Sequence, residues 1–290
     1  MRSNRLFSLA LLLLLASGAA VHSQEQDPDI SGCDIALERF FYGGKENLQN
    51  RQRIYYDADG RVVLSFFLNQ DGTERSRKIY RYDERGNQIE YSLEDKTASG
   101  WNRWWHTVGE RSDFDDYYQI TQKTARYRDA YVVTSVVRKT YDEVVLYEED
   151  IGFDGSTSVR EYNSNGDLIR NEYENEKSDG RVLEEYEYEY EEGRPIKRTT
   201  RRGSVVSEVR ENTYKDGLLV ESRVGDLLKN ATYTYRYEYS DGKLTKQTCL
   251  SADGAPLFML FYEYDDRGRL VRHGERYGAS ERYWQYDFED

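Results

Sequence analysis

The sequence predicts an all-β protein, a repetitive antiparallel β-hairpin array forming one long twisted or coiled sheet. Three observations predict it. A Tyr-Asp-turn-Gly motif recurs about every 25 residues along most of the chain. The segments between turns alternate with a period of two, which is the side-chain period of a strand with one wet face. And 27 Tyr stand against three Pro, with 38% hydrophobic and 33% charged residues. That is too aromatic for a disordered chain and too polar for one thick core. Tyrosine, with an apolar ring and a polar tip, then supplies the packing of a thin fold.

Residues 1–23 read as a secretory signal. Arg2 and Arg5 form its basic region, Leu6–Ala16 its apolar region, and Gly18, Ala19 and Ala20 its small-residue end. Export to the periplasm, the cell surface or the medium is therefore expected, and no other run is apolar and long enough to span a bilayer as a helix. Residues 24–53 form a lead-in and cap. Ile30-Ser31-Gly32-Cys33 has the look of a lipoprotein cleavage box. Residues 24–29 separate it from the apolar region, which argues against a lipid anchor at Cys33. Ser31-x-x-Asp34 before Ile35, Leu37, Phe40 and Phe41 predicts a short helix ahead of Gly43-Gly44, plugging the first hairpin.

The repeat domain spans 54–290. Its turn glycines are Gly60, Gly86, Gly166, Gly193, Gly217, Gly242 and Gly268, separated by 26, 80, 27, 24, 25 and 26 residues. The gap of 80 holds copies that have lost their glycine, with candidates at Phe114-Asp115-Asp116 and Tyr141-Asp142-Glu143-Val144-Val145. Secondary turns at Asp71-Gly72, Asp179-Gly180 and Asp253-Gly254 make each unit two strands. Tyr233, Tyr235, Tyr237 and Tyr239 share one face, and Thr234, Arg236 and Glu238 the other. About 18 strands at ~4.8 Å spacing predict an open, curled sheet with the tyrosines on its concave side. Cys33 and Cys249 lie near opposite ends of such an array, too far apart to bridge.

The best copy, Tyr262-x-Tyr264-Asp265-x-x-Gly268-Arg269-Leu270, resembles the YD repeat of the RHS/YD-repeat family, and the resemblance covers most of 54–288. It also resembles, less closely, the YwqK-like/MORN-like repeats, which are richer in Asn-Gly turns. The first resemblance implies a bacterial source, a β-spiral shell and a structural role. The longest members of that family carry a hypervariable toxin after the shell. Here Tyr283–Phe288 is the last strand, and no toxin segment is expected.

Chemistry is sparse. The formal charge is −13, or −15 without residues 1–23, which hold two Arg and no acid. Such a balance argues against nucleic acid and anionic lipid as partners. Neighbouring acids such as Glu184-Glu185 and Asp115-Asp116 alternate faces, and a glycosidase needs two carboxylates facing across a cleft. Asp57-x-Asp59-Gly60 and Asn163-x-Asn165-Gly166 lack the later bidentate acid of a calcium loop. With His106 and His273 as the histidines beyond residue 23 and two cysteines, no zinc spacing, catalytic triad, nucleotide loop or other cofactor motif is formed. One local anomaly remains: Trp101, Trp104, Trp105 and His106 gather three of the four Trp beside the weakest repeats. On a strand Trp104 and Trp105 face opposite sides, so one of them is a candidate for binding a sugar or a partner. The reading is a non-catalytic exported β-repeat protein of the bacterial cell envelope, offering a structural or protein-interaction surface, with no metal or cofactor. Carbohydrate binding through an aromatic face is the alternative, and a carboxylate-dependent hydrolase the third.

Overall fold

The structure, a computed structural model, describes residues 28–42, 48–127, 129–174 and 181–289. The expected signal segment and the Asp179-Gly180 turn lie outside them. Twenty strands follow in chain order: β1 Asp34–Tyr42, β2 Leu48–Tyr56, β3 Val62–Leu68, β4 Glu74–Tyr82, β5 Gln88–Thr97, β6 Gly100–Asp113, β7 Tyr117–Arg126, β8 Val132–Thr140, β9 Val145–Ile151 and β10 Thr157–Tyr162. Then come β11 Leu168–Glu174, β12 Val182–Glu191, β13 Arg194–Arg202, β14 Val205–Lys215, β15 Leu218–Asp226, β16 Ala231–Ser240, β17 Lys243–Leu250, β18 Pro256–Tyr264, β19 Leu270–Tyr277 and β20 Ser280–Glu289.

Each strand pairs antiparallel with the next, and β20 pairs with β1, from Ile35↔Glu289 to Tyr42↔Arg282. The sheet is thus a closed barrel, which corrects the open array. The short helix expected over 34–42 is strand β1, flanked by β2 and β20. Its apolar residues satisfy a strand as well as a helix, and pairing on both sides gives its backbone a full ladder. Cys33 and Cys249 are both free.

Closure has a visible cause. The register slips in many pairs, among them β3–β4, β5–β6, β7–β8, β8–β9, β13–β14 and β17–β18. At one end of the strands it also slips beside Tyr56, Tyr82, Tyr162, Tyr190, Tyr214, Tyr239 and Tyr264. Beside these tyrosines the unpaired residue is Val63, Ile89, Ile169, Ile196, Val220, Thr245 or Val271, each three residues after a turn glycine and each β-branched. A bulge bends its strand and adds twist. Bulges recur around the whole sheet, and the bending and twist they add favour a sheet that closes.

The bulges also explain the tyrosines. A bulge disrupts the ladder locally, and the carbonyl beside it accepts a hydroxyl from the following unit. Tyr82, Tyr188, Tyr214, Tyr239 and Tyr264 donate to the oxygens of Val62, Leu168, Pro195, Leu219 and Leu244 at 2.8–3.2 Å. The cation after the glycine lies over the same ring or its equivalent: Arg61 on Tyr82 at 5.1 Å, Arg194 on Tyr214 at 5.9 Å, Lys243 on Tyr264 at 5.2 Å and Arg269 on Phe288 at 4.1 Å. Tyr-Asp…Gly-Arg-Leu is therefore a clasp between consecutive units.

Side chains reach over an intervening strand mainly on the tyrosine face. Arg210 on β14 lies 5.6 Å from the Tyr235 ring on β16, and Tyr235 lies 6.2 Å from Phe258 on β18. Such reaches are commonest on the tyrosine face, which we read as the inner wall; on the other face Trp101 reaches Phe66 and Arg77 across intervening strands. The outer wall carries cross-strand ion pairs such as Glu189–Lys197, Glu238–Lys246 and Glu263–Arg272. It also carries one hydrophobic cluster, Tyr55, Leu64, Phe66, Leu68 and Ile79.

Candidate functional site

The tryptophan cluster sits on β6, where a register slip opposite Leu93 and Glu94 makes Trp104 the extra residue. Strict alternation is lost there. Trp104 and Trp105 meet edge to face at 6.3 Å instead of pointing to opposite sides. Trp101 is occupied by the protein. It packs on Phe66 at 5.8 Å, and the cations of Arg77 and Lys96 approach its ring at 4.5 and 4.4 Å. Trp104 lies against Tyr127 at 6.3 Å, and the amide of Tyr127 donates to the Trp104 carbonyl.

Trp105 turns to the inner wall. Its Nε1 donates to Thr107, which is linked on to Thr124 and Thr134. Its ring forms an open cleft with Arg126, Thr134, Phe153 and Asp154, Phe153 lying 5.5 Å away. His106 is held between Tyr131 and Glu90, with 3.0 Å from Nε2 to the Glu90 carboxylate. That contact holds Glu90 below the usual carboxylate range. The structure therefore splits the four residues: Trp101, Trp104 and His106 pack against the protein, and Trp105, with the Arg126 cation 5.0 Å over its ring, is the one that lines an open cleft.

A second aromatic surface escaped the sequence analysis. Trp284 on β20 stacks on His273 of β19 at 4.8 Å and lies tilted against Phe40 of β1 at 4.7 Å, with Tyr262 and Tyr286 beside His273. This band crosses the seam where the barrel closes. Burial lowers the His273 pKa, so the imidazole stays neutral within the band. Trp284-x-Tyr286-x-Phe288 shows period-two spacing in the sequence. What an open array hides is its adjacency to Phe40, almost 250 positions away. The seven turn glycines all have positive φ and set the hairpin turns; they carry no ligand chemistry.

Among the described residues, no group of three His, Cys, Asp or Glu is placed to hold a metal. The inner wall instead combines half-buried rings with paired ions and hydroxyls, an arrangement suited to binding by stacking and hydrogen bonding.

No family model matches this chain, and no curated protein does. Among solved structures, a porin-like protein from Bacteroides uniformis ATCC 8492 is 11% identical, covering 88% of this chain and 96% of that one at a TM-score of 0.29. TcdB2-TccC3 without its hypervariable C-terminal region is 9% identical, covering 83% of this chain and 21% of that one at a TM-score of 0.19. At these scores neither carries an argument.

Proposed function

We propose that this chain is a non-catalytic binding scaffold of the bacterial cell envelope, exported and not inserted in lipid. One observation carries the reading: apart from one hydrophobic cluster the outer wall is charged and self-paired, while the inner wall presents aromatic rings among paired polar groups. Outer-facing Glu185, Glu187 and Glu189 stand beside Arg201, Thr199 and Lys197 on the next strand, and Arg236 and Glu238 beside Thr248 and Lys246. A lipid-facing barrel needs an apolar band about 25 Å tall, and a cation at the bilayer midplane costs ~2–4 kcal/mol. Closure also removes the sheet edges that would template strand addition by a partner. Recognition then falls to side chains, and the inner wall is where aromatic rings are concentrated.

The aromatic inner wall favours a second, narrower reading, carbohydrate binding. Tyrosines with half-exposed faces and tethered hydroxyls are rigid stacking platforms. Two measurements test the pair. Alkaline carbonate extraction of expressing cells is expected to release the mature protein; retention in the membrane pellet overturns the first reading. Neutral oligosaccharides are expected to bind and to lose affinity at least tenfold in Tyr237→Ala or Trp284→Ala. Unchanged affinity in both, with the fold intact, overturns the second.

A further inference from the structure

The inner wall carries a pocket of about 270 Å3 over β12–β15, roofed on one side by the turn after Asp226. Register builds its floor: Tyr186, Thr200, Glu208 and Asp226 stand opposite one another across four strands. Two residue pairs further on, on the same face, Glu184 faces Arg202. A slip in β14 after Thr200 inserts Ser207, whose hydroxyl donates to the Thr200 carbonyl and whose own carbonyl accepts the Leu227 amide. That last bond fixes the turn that holds Lys229 at the rim.

The charges are balanced and locally paired. Arg202 donates to Glu184 at 2.7 Å, Arg198 to Glu208 at 2.6 Å and Lys229 to Asp226 at 2.9 Å. An ionic ligand would have to break one of these pairs. A neutral ligand with several hydroxyls can add to them, since each carboxylate keeps lone pairs and each guanidinium keeps donors. Two polar atoms in the pocket wall have no partner within the protein, the Thr200 hydroxyl oxygen and the Arg198 Nε, and Thr200 is only 5% exposed. The Tyr186 ring supplies the apolar wall with the Arg198 guanidinium 5.4 Å from its centre. Its hydroxyl donates to Glu184, and burial with that contact pushes its pKa up to about 12, so it remains a neutral donor.

We propose that this pocket binds one neutral sugar ring, stacked on Tyr186 and held through its hydroxyls by the Arg198–Glu208 and Arg202–Glu184 pairs. The volume sits just below the ~300 Å3 at which drug-sized pockets begin, which suits a single ring. The assignment deepens the carbohydrate reading but uses a different part of the wall, so the two can fail separately.

The test is saturation-transfer NMR on the mature chain with glucose, galactose, mannose and, as a zwitterionic control, glycine. Transfer to at least one hexose and none to glycine is expected. Thr200→Val and Glu208→Gln, both close in size to the native residues, should each weaken that hexose at least fivefold with an unchanged circular dichroism spectrum. No transfer from any hexose, transfer to glycine, or hexose affinity unmoved in both folded variants overturns the proposal. Tyr237→Ala separates the two readings, because it should spare hexose binding in the pocket while weakening oligosaccharides on the ladder.

Discussion

Tyr239 illustrates what a repeat residue is for. Its hydroxyl donates to the Leu219 carbonyl across the β15–β16 boundary, 2.9 Å away, and burial raises its pKa. Removing the hydroxyl leaves that acceptor beside a bulge with one partner fewer. Tyr239→Phe should lower the unfolding free energy by about 1 kcal/mol, the usual worth of such a bond, read from the urea midpoint at constant m-value. The turn residues make a separate demand. Gly193 has a φ of 75° with open space around it, so a methyl group there meets no atom and suffers only the left-handed backbone. Gly193→Ala is expected to cost about 1–2 kcal/mol. Glu143 occupies the corresponding position of a degraded unit with a φ of 65°. Its amide donates to Thr140 just as the Gly86 amide donates to Asp83. The lost glycine was therefore replaced without loss of the turn.

Among the elements, β5 and β6 carry most of what departs from the repeat. Arg77, Glu94 and the part-exposed Arg103 form a chain, with Glu94 donated to by both guanidinium groups at 2.7 and 3.1 Å and itself only 4% exposed. Glu94→Ala leaves charge without its carboxylate beside Trp101 and should destabilise by about 3 kcal/mol in a thermal or urea melt. The turns and alternation of the elements were legible in the sequence, because Gly-plus-Asp chemistry and period two act locally. Both degraded turns also stand where the spacing placed them, at Phe114–Tyr117 and Thr140–Val144. The Trp104–Trp105 geometry was not legible, since the slip facing Leu93 depends on how β5 pairs and no residue type announces it. Strand β1 was misread for a related reason. Ile35, Leu37, Phe40 and Phe41 fit either period, and the partner that decides, β20, lies at the other end of the chain.

For the molecule as a whole, tyrosine burial sets an alkaline limit. Tyr118, Tyr162 and Tyr186 have their pKa values pushed up to about 12, chiefly by burial and then by a carboxylate accepting each hydroxyl. In the unfolded chain they ionise near ~10. A raised native pKa means the folded state holds its protons more tightly. That stability is complete below pH ~10 and drains away as pH rises toward the native values. The melting temperature should therefore fall steeply above pH ~10. Ultraviolet titration should show tyrosinate forming late in the native protein and earlier in urea.

Closure is the property that most distinguishes this chain from the open array its repeats suggest. Bulges bend the wall, and the β1–β20 ladder completes it across residues 240 or more apart in sequence. Arg39 and Gln285 stand opposite each other in that ladder, both half-buried. Facing residues in an antiparallel pair have Cα atoms about 4.5–5.5 Å apart, within the range a disulfide spans. In a background of Cys33→Ser and Cys249→Ser, the pair Arg39→Cys and Gln285→Cys should oxidise to a single intramolecular bridge. Peptide mass spectrometry without reductant should then recover a fragment joining residues 39 and 285. Moving one cysteine to the far side, with Gln285→Cys paired against Thr121→Cys on β7, should yield no such bridge. An open sheet predicts the opposite for the first pair, since its terminal strands stay apart. Free thiols at 39 and 285 under conditions that oxidise exposed dithiols would therefore rule out the barrel.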